Sequence, residues 1–283
     1  MKRSNILIRL FLCSIIFVLG TLIVLNLNKN NNYEVNASTN DKLEYAEKIP
    51  VLTFHRLSYE ETKNKYFKDN EWVQSIDMFE KQIEYLYENG YKTISLNEFY
   101  CWYVGKCEFS KKTVLLTFDD GDQSTYYLAL PILKRYNYKG VAFIVGSRTK
   151  EIDENIYQDD ARNYITKDIV RRSLEDYPNF EYESHSYDFH YKDGNVEHVL
   201  NMTEEEIQED FDRNSKFNFK YIAYPYGAYN EKLLKKVEEN EFLLGFTFKK
   251  QGYATRTSPR LEIPRLKING YSDIQTLENI LNY

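Results

Sequence analysis

Val114-Leu115-Leu116-Thr117-Phe118-Asp119-Asp120-Gly121 is the stretch whose reading decides the fold. Val114 to Phe118 are apolar or β-branched without a break, the pattern of a strand buried on both faces. Two adjacent carboxylates follow where that strand runs out, and Gly121 lets the backbone turn sharply away. In α/β folds, sites are built at the carboxyl ends of parallel strands. Two acids placed there can divide the work, one holding a metal and the other moving a proton. Read alone, they are equally a solvated turn.

The flanking sequence supplies the context. Further strands are predicted over 50–55, 92–95, 141–145, 180–184, 221–224, 243–248 and 262–268. Helical spacing is predicted over 78–89, 96–104, 124–137, 166–176, 203–217 and 230–240, with Pro131 inside the third. Ser95 with Glu98, and Thr203 with Glu206, have capping-box spacing, and Thr166 is placed as an N-cap. The charged, irregular stretch 148–163 reads as a loop over one face. Strand and helix alternate about seven times without an internal repeat, which predicts a parallel sheet or a closed β/α barrel in one domain. The polar residues able to do chemistry fall at strand ends: His55, Asp119, Asp120, His185, His190 and the Pro225-Tyr226-Gly227 turn.

The chain has 283 residues, a net charge of -6 and a pI near 5.5. No basic stripe is present, which argues against a nucleic-acid partner. The charge disfavours a strongly anionic polymer and is compatible with a neutral or cationic one. Lys2, Arg3 and Arg9 precede or enter an apolar run from Leu10 to Leu25. Its length lies between an ordinary signal-peptide core and a spanning helix. Residues 1–25 are therefore read as a signal anchor or signal peptide, with the anchor favoured and the bulk of the chain outside the membrane. Residues 26–44, rich in Asn, read as a flexible linker, and 45–283 as one folded domain. Cys101 and Cys107 can form a small disulfide or stay as two buried thiols.

His185 and His190 lie five residues apart just after a predicted strand. On a helix they would be turned about 140° from each other, and on a straight strand they would point oppositely. They converge only if the backbone bends between them. With Asp120 they then make an open three-ligand site for zinc or a similar divalent ion. Such an ion lowers the pKa of a coordinated water from 15.7 to about 7.

Thr117 to Gly121, the histidine pair and Tyr224-Pro225-Tyr226-Gly227, in this order, resemble the polysaccharide deacetylase family, also called carbohydrate esterase family 4 or the NodB-homology domain. The resemblance spans about Pro50 to Ile268. It implies a distorted (β/α)7 barrel as a single catalytic domain, and metal-dependent removal of acetyl groups from sugars. It implies Asp119 as catalytic base and Asp120, His185 and His190 as metal ligands. Pro225, Tyr226 and Gly227 become the groove wall, with the Tyr226 N–H at the oxyanion. Zinc is the expected ion, with Co2+, Ni2+ or Fe2+ as alternatives.

Three departures from the commonest pattern point to a subgroup. The histidines are five apart rather than four, Ala223 replaces an arginine before the Pro-Tyr-Gly stretch, and no histidine follows His198. The poly-β-1,6-N-acetylglucosamine N-deacetylases depart similarly, with a permuted motif order and a general acid on an early strand. That resemblance implies His55 as general acid. It also implies Arg265, in Ile263-Pro264-Arg265, as the residue that orients Asp119, ahead of Arg256 and Arg260. His198 is read as a surface residue. Among 26 Tyr and 17 Phe, Tyr187 and Tyr226 lie nearest the motifs as candidates to stack on sugar. The expected protein is an extracytoplasmic, membrane-tethered or secreted, metal-dependent deacetylase of a β-1,6-linked N-acetylglucosamine polymer, a biofilm or cell-surface polysaccharide. Its rivals are a peptidoglycan N-acetylglucosamine deacetylase, an O-acetyl esterase and a catalytically dead glycan-binding module.

Overall fold

A computed structural model describes residues 44–152 and 157–282. The expectations for residues 1–25 and for most of the linker lie outside the described residues. Seven parallel strands form the centre: β1 (Val51–Phe54), β2 (Thr113–Phe118), β3 (Gly140–Ile144), β4 (Phe180–Ser184), β5 (Tyr221–Ala223), β6 (Leu244–Thr247) and β7. β7 consists of two short segments, Ile263–Pro264 and Leu266–Lys267. The first pairs with β6 and the second with β1, so β7 closes the sheet into the expected (β/α)7 barrel. The single strand expected over 262–268 is thus interrupted at Arg265. Arg265, between the two segments, sends its side chain into the barrel to Asp119.

Period-two alternation divides the strand residues between two cores. Leu52, Phe54, Leu116 and Phe118 pack outward against α2 (Ile76–Glu88), in which Phe79, Ile83 and Leu86 form the apolar face. Val51, Leu115, Phe143 and Phe246 belong to a second core with Phe99 and Trp102 of α3 (Leu96–Tyr103). Thr53 and Thr117 bond to each other, Oγ1 to Oγ1, at 2.8 Å. Asp119 continues the Leu115, Thr117 set, so strand geometry alone aims it at the barrel's centre.

The helix signals act as read. Ser95 and Glu98 form a capping box ahead of α3. Thr203 and Glu206 do the same ahead of a helix at Glu204–Asn214. The helix expected over 124–137 is divided instead. Residues Thr125–Ala129 form a wide π turn, closed by the Leu130 N–H bonding to Thr125 O, and a regular helix runs over Leu130–Tyr136. Pro131 has no N–H to give, so it sits at the start of that second helix. Two helices had no prediction. Glu60–Tyr66 buries none of its residues, so it has no apolar period to read. Ile274–Leu281 is capped by Asp273 and buries Leu277 and Leu281.

Cys101 and Cys107 are disulfide-bonded, with Cα atoms 5.3 Å apart. The link staples the last turn of α3 to the segment that follows it. By loop-closure entropy, a ring this small stabilises by about 2 kcal/mol. Cys101→Ala/Cys107→Ala should lower the melting temperature by roughly 4–8 °C for a domain of this size. An unchanged melting temperature would show that the link does not constrain the unfolded chain.

Candidate active site

The chain leaves β2 in ladder register, with the Asp119 N–H bonding to Phe54 O at 3.0 Å. Asp120 and Gly121 then take left-handed backbone angles, φ 72° and 66°. The two turned residues point the Asp120 carboxylate away from that of Asp119. Adjacent acids thereby reach different partners.

Asp119 meets Arg265 in a fork of two bonds, each 2.7 Å. Both side chains are almost wholly buried, at 2% and 0% exposure. Burial pushes the Asp119 pKa up, but the Arg265 guanidinium together with the His185 and His55 imidazoles outweighs it, and the carboxyl is held below its usual range. Asp119 is therefore ionised and can accept a proton. Arg265 stacks on Phe248, 4.2 Å from the ring centre, which fixes the plane of the fork.

Asp120 meets the two histidines. Its Oδ1 lies 2.9 Å from His190 Nε2 and 3.5 Å from His185 Nε2. Burial opposes its charge, yet the imidazole hydrogen bonds hold its pKa well below the ordinary value. His185 Nδ1 donates to Ala223 O at 2.7 Å, which leaves Nε2 as the donor atom facing Asp120. One ligand atom from each of Asp120, His185 and His190 lies within 4.8 Å of the others. Two imidazole nitrogens and one carboxylate oxygen, so close and with one tautomer fixed from behind, fit a divalent ion such as zinc.

The bend that the histidine spacing demands occurs at Ser186, with φ 68°. The loop past it is held from below. Asp210 accepts the N–H of Tyr187 at 2.8 Å and of Asp188 at 2.6 Å. Arg148 donates to His190 O at 2.7 Å. Asp210 and Arg148 escaped the sequence reading, because a buried acid on a helix and an arginine in a loop carry no motif. Arg162 reaches the site as well, 3.7 Å from Asp120 Oδ2. Its loop is anchored by Arg56, which donates to Asp159 O and Ala161 O.

His55 ends β1 and packs against Trp72, with ring centres 4.6 Å apart, and against Phe248 at 6.2 Å. Burial lowers its pKa, against the opposing pull of Asp120 and Asp119. Its Nδ1 has no hydrogen-bond partner among the described residues, so the surrounding rings hold it in place. Tyr226 adopts φ 59° in the turn after β5. Its N–H bonds to no protein acceptor among the described residues. A left-handed non-glycine residue with a free donor is the kind of backbone strain that collects at sites. Gly227 follows with φ 67°, and a Cβ there would stand 2.5 Å from Phe248 N.

A cavity of about 510 Å3 collects His55, Asp119, Asp120, His185, His190 and Tyr226. Arg265 lies just behind Asp119, and Pro225 and Gly227 form the buried ends of the Tyr226 turn. Arg256 and Arg260, the lesser candidates, bond elsewhere, to Trp102 O and Phe242 O. His198 pairs with Asp193 outside the cavity. Tyr187 is not in the lining; Trp72 and Phe248 supply aromatic walls there instead.

A family model described as polysaccharide deacetylase matches residues 106–244. A poly-beta-1,6-N-acetyl-D-glucosamine N-deacetylase of Staphylococcus aureus is 29% identical over 275 residues, covering 90% of this chain and 92% of its own. The protein of that name from Staphylococcus epidermidis is 26% identical over 274 residues, covering 90% and 92%. Among solved structures, Streptococcus pyogenes deacetylase PplD in complex with acetate aligns with a TM-score of 0.67 at 25% identity, covering 83% of this chain and 98% of its own. IcaB from Ammonifex degensii shares the fold at 20% identity, with a TM-score of 0.68 and coverage of 84% and 98%.

Burial raises the Asp210 pKa to about 6, despite the two N–H groups it accepts. The folded state then binds more protons than the unfolded chain between about pH 4 and 6. Stability at this position is full below pH 4 and is lost as pH rises through 6, by on the order of 3 kcal/mol. In urea unfolding across pH 4–7, Asp210→Asn should lose less stability than the wild type by about that amount, with a remaining slope from Glu183, which burial raises to about 8. Asp210→Ala leaves the N–H groups of Tyr187 and Asp188 without their carboxylate, and should weaken metal binding about 10–100-fold by loosening the loop that carries His190.

Proposed function

Since the chain belongs to the polysaccharide deacetylase family, we propose that it removes N-acetyl groups from a β-1,6-linked N-acetylglucosamine polymer outside the cytoplasm. Residues 1–25 would hold it at the membrane. The observation that carries the reading is the buried Asp119–Arg265 fork opening on the same cavity as the Asp120, His185, His190 cluster. A base and a cation-binding site side by side suit amide hydrolysis, and a glycan-binding module has no use for either. The names of the staphylococcal relatives, which align along 90% of the chain, support the glycan.

Asp120, His185 and His190 would hold the divalent ion, zinc by preference. When bound, that ion supplies positive charge for the acetyl oxygen and acidifies the hydrolytic water. Asp119, ionised and oriented by Arg265, accepts the proton of that water as the oxygen attacks the acetyl carbon. The Tyr226 N–H donates to the acetyl oxygen as negative charge builds on it, an interaction typically worth about 2.7–4 kcal/mol. His55 in its imidazolium form, which the charges of Asp120 and Asp119 favour against burial, delivers a proton to the sugar nitrogen as the carbon–nitrogen bond breaks, typically worth roughly 10²–10⁴ in rate. Acetate and a glucosamine unit are the products.

Acetate release from β-1,6-linked N-acetylglucosamine oligomers and from peptidoglycan fragments, each with added divalent metal and with chelator, tests this reading. Metal-dependent release from the oligomers alone is the expected result. Release from peptidoglycan alone would keep the chemistry and overturn the substrate. Asp119→Asn should lower turnover by about 10³-fold or more while metal content stays at the wild-type level. Wild-type turnover in that variant would remove Asp119 from the mechanism.

A further inference from the structure

Two walls of the cavity repeat one arrangement. On the first, the Tyr226 ring lies 4.7 Å from that of His190, and Lys192 Nζ sits 5.0 Å from the Tyr226 ring centre. The same Nζ pairs with Glu197 at 3.0 Å. On the second, the Trp72 ring lies 4.6 Å from His55, and Lys267 Nζ sits 4.6 Å from the Trp72 ring centre. That Nζ pairs with Glu71 at 3.0 Å. The sheet order sets β7 and β1, which bring Lys267 and His55, across the mouth from β4 and β5, which lead to His190 and Tyr226.

Beyond each aromatic lies a further hollow. Trp72 and Glu71 also line one of about 490 Å3 formed by residues 65–72. Tyr226 and Glu197 also line one of about 210 Å3 that extends to Tyr229 and Lys249. A reacting unit in the central cavity therefore has space for a neighbour on either side.

The charge there runs against that of the whole chain. Arg148, Arg162, Lys192 and Lys267 face the central cavity, against the carboxylates of Asp119, Asp120 and Glu197. Asp119 is already neutralised by Arg265. A divalent ion on Asp120 adds two further positive charges. A neighbouring sugar unit thus enters a positive field lined with hydrogen-bond donors.

We propose that the two walls are flanking subsites that take uncharged, N-acetylated units and disfavour glucosamine, so that each deacetylated unit protects its neighbours. The inference rests on the glycan reading above. Tyr226 and Trp72 offer ring surface to a sugar face. Lys192 and Lys267 donate to acetamide or hydroxyl oxygens, and Glu197 and Glu71 accept from hydroxyls. Each lysine is offset by its glutamate partner, so an ammonium in the place of the acetamide meets the net positive charge left by Arg148, Arg162 and the ion, and removing a lysine would free a carboxylate to offset it. At a separation of about 6 Å and an intermediate dielectric, that repulsion corresponds to roughly tenfold in kcat/KM.

The test uses the metal-loaded full chain and three β-1,6-linked pentasaccharides. One is fully N-acetylated, and the others carry a single glucosamine on one or the other side of the central unit. Mass-spectrometric mapping of which unit loses acetate gives kcat/KM position by position. Units next to glucosamine should react about tenfold more slowly at low salt, and the penalty should shrink at high salt. Lys192→Gln should relax the penalty on one side only, and Lys267→Gln on the other. Equal reactivity of all positions in the wild type at low salt would overturn the inference. So would variants that leave both penalties in place. No acetate from any pentasaccharide, the fully acetylated one included, would instead bring down the substrate reading, and the inference with it.

Discussion

The Asp119–Arg265 fork is the contact on which the site and the barrel both depend. Burying two charges is costly, and the cost is recovered only with good geometry and fully used hydrogen-bonding groups. Here both carboxylate oxygens accept, at 2.7 Å each, while Arg265 Nε, alone of the pair's polar groups, has no partner among the described residues. Arg265 lies where β7 passes from pairing with β6 to pairing with β1, and it shares the inward face with Ile263 two residues earlier. Closing the sheet and placing the counter-charge of the base thus draw on the same short strand.

The metal cluster follows a different logic. Its ligands come from two strand ends, and the five-residue histidine spacing forces a loop between them. Such a loop is floppy unless something holds it. Asp210 and Arg148 hold it through its backbone, and Ala223 O orients His185 from behind. None of these three contacts touches the ion's place. Each fixes the direction of a ligand that does, which is how a loop can present donor atoms at fixed separation.

Much of this was legible in the sequence because it was written in strand signals. The unbroken apolar run before Asp119, the strand before His185 and the Pro225-Tyr226-Gly227 turn each end an element, and the fold gathers such ends on one face. Arg265 could be read only by resemblance, since nothing local in Ile263-Pro264-Arg265 says that the strand breaks. Trp72, Lys192 and Lys267 left no signal. An aromatic or a lysine in a loop looks alike whether it faces solvent or a groove. The division of the helix at Pro131 was half legible: the proline announced a disturbance, and packing chose a π turn rather than a kink. The terminal helix at Ile274–Leu281 was missed although its cap and apolar spacing were present.

The ligands and the arginine also differ in when they become available. Asp120, His185 and His190 precede Arg265 along the chain, and the Asp119–Arg265 contact spans 146 residues. A chain made from its N-terminus presents the complete ligand set while the last strand is still unmade. Long-range pairing of this kind is the slow part of forming a sheet. A chain cut short before residue 265 would lack both the arginine that orients the base and the strand that joins β6 to β1, so the last strand completes the barrel and the site together.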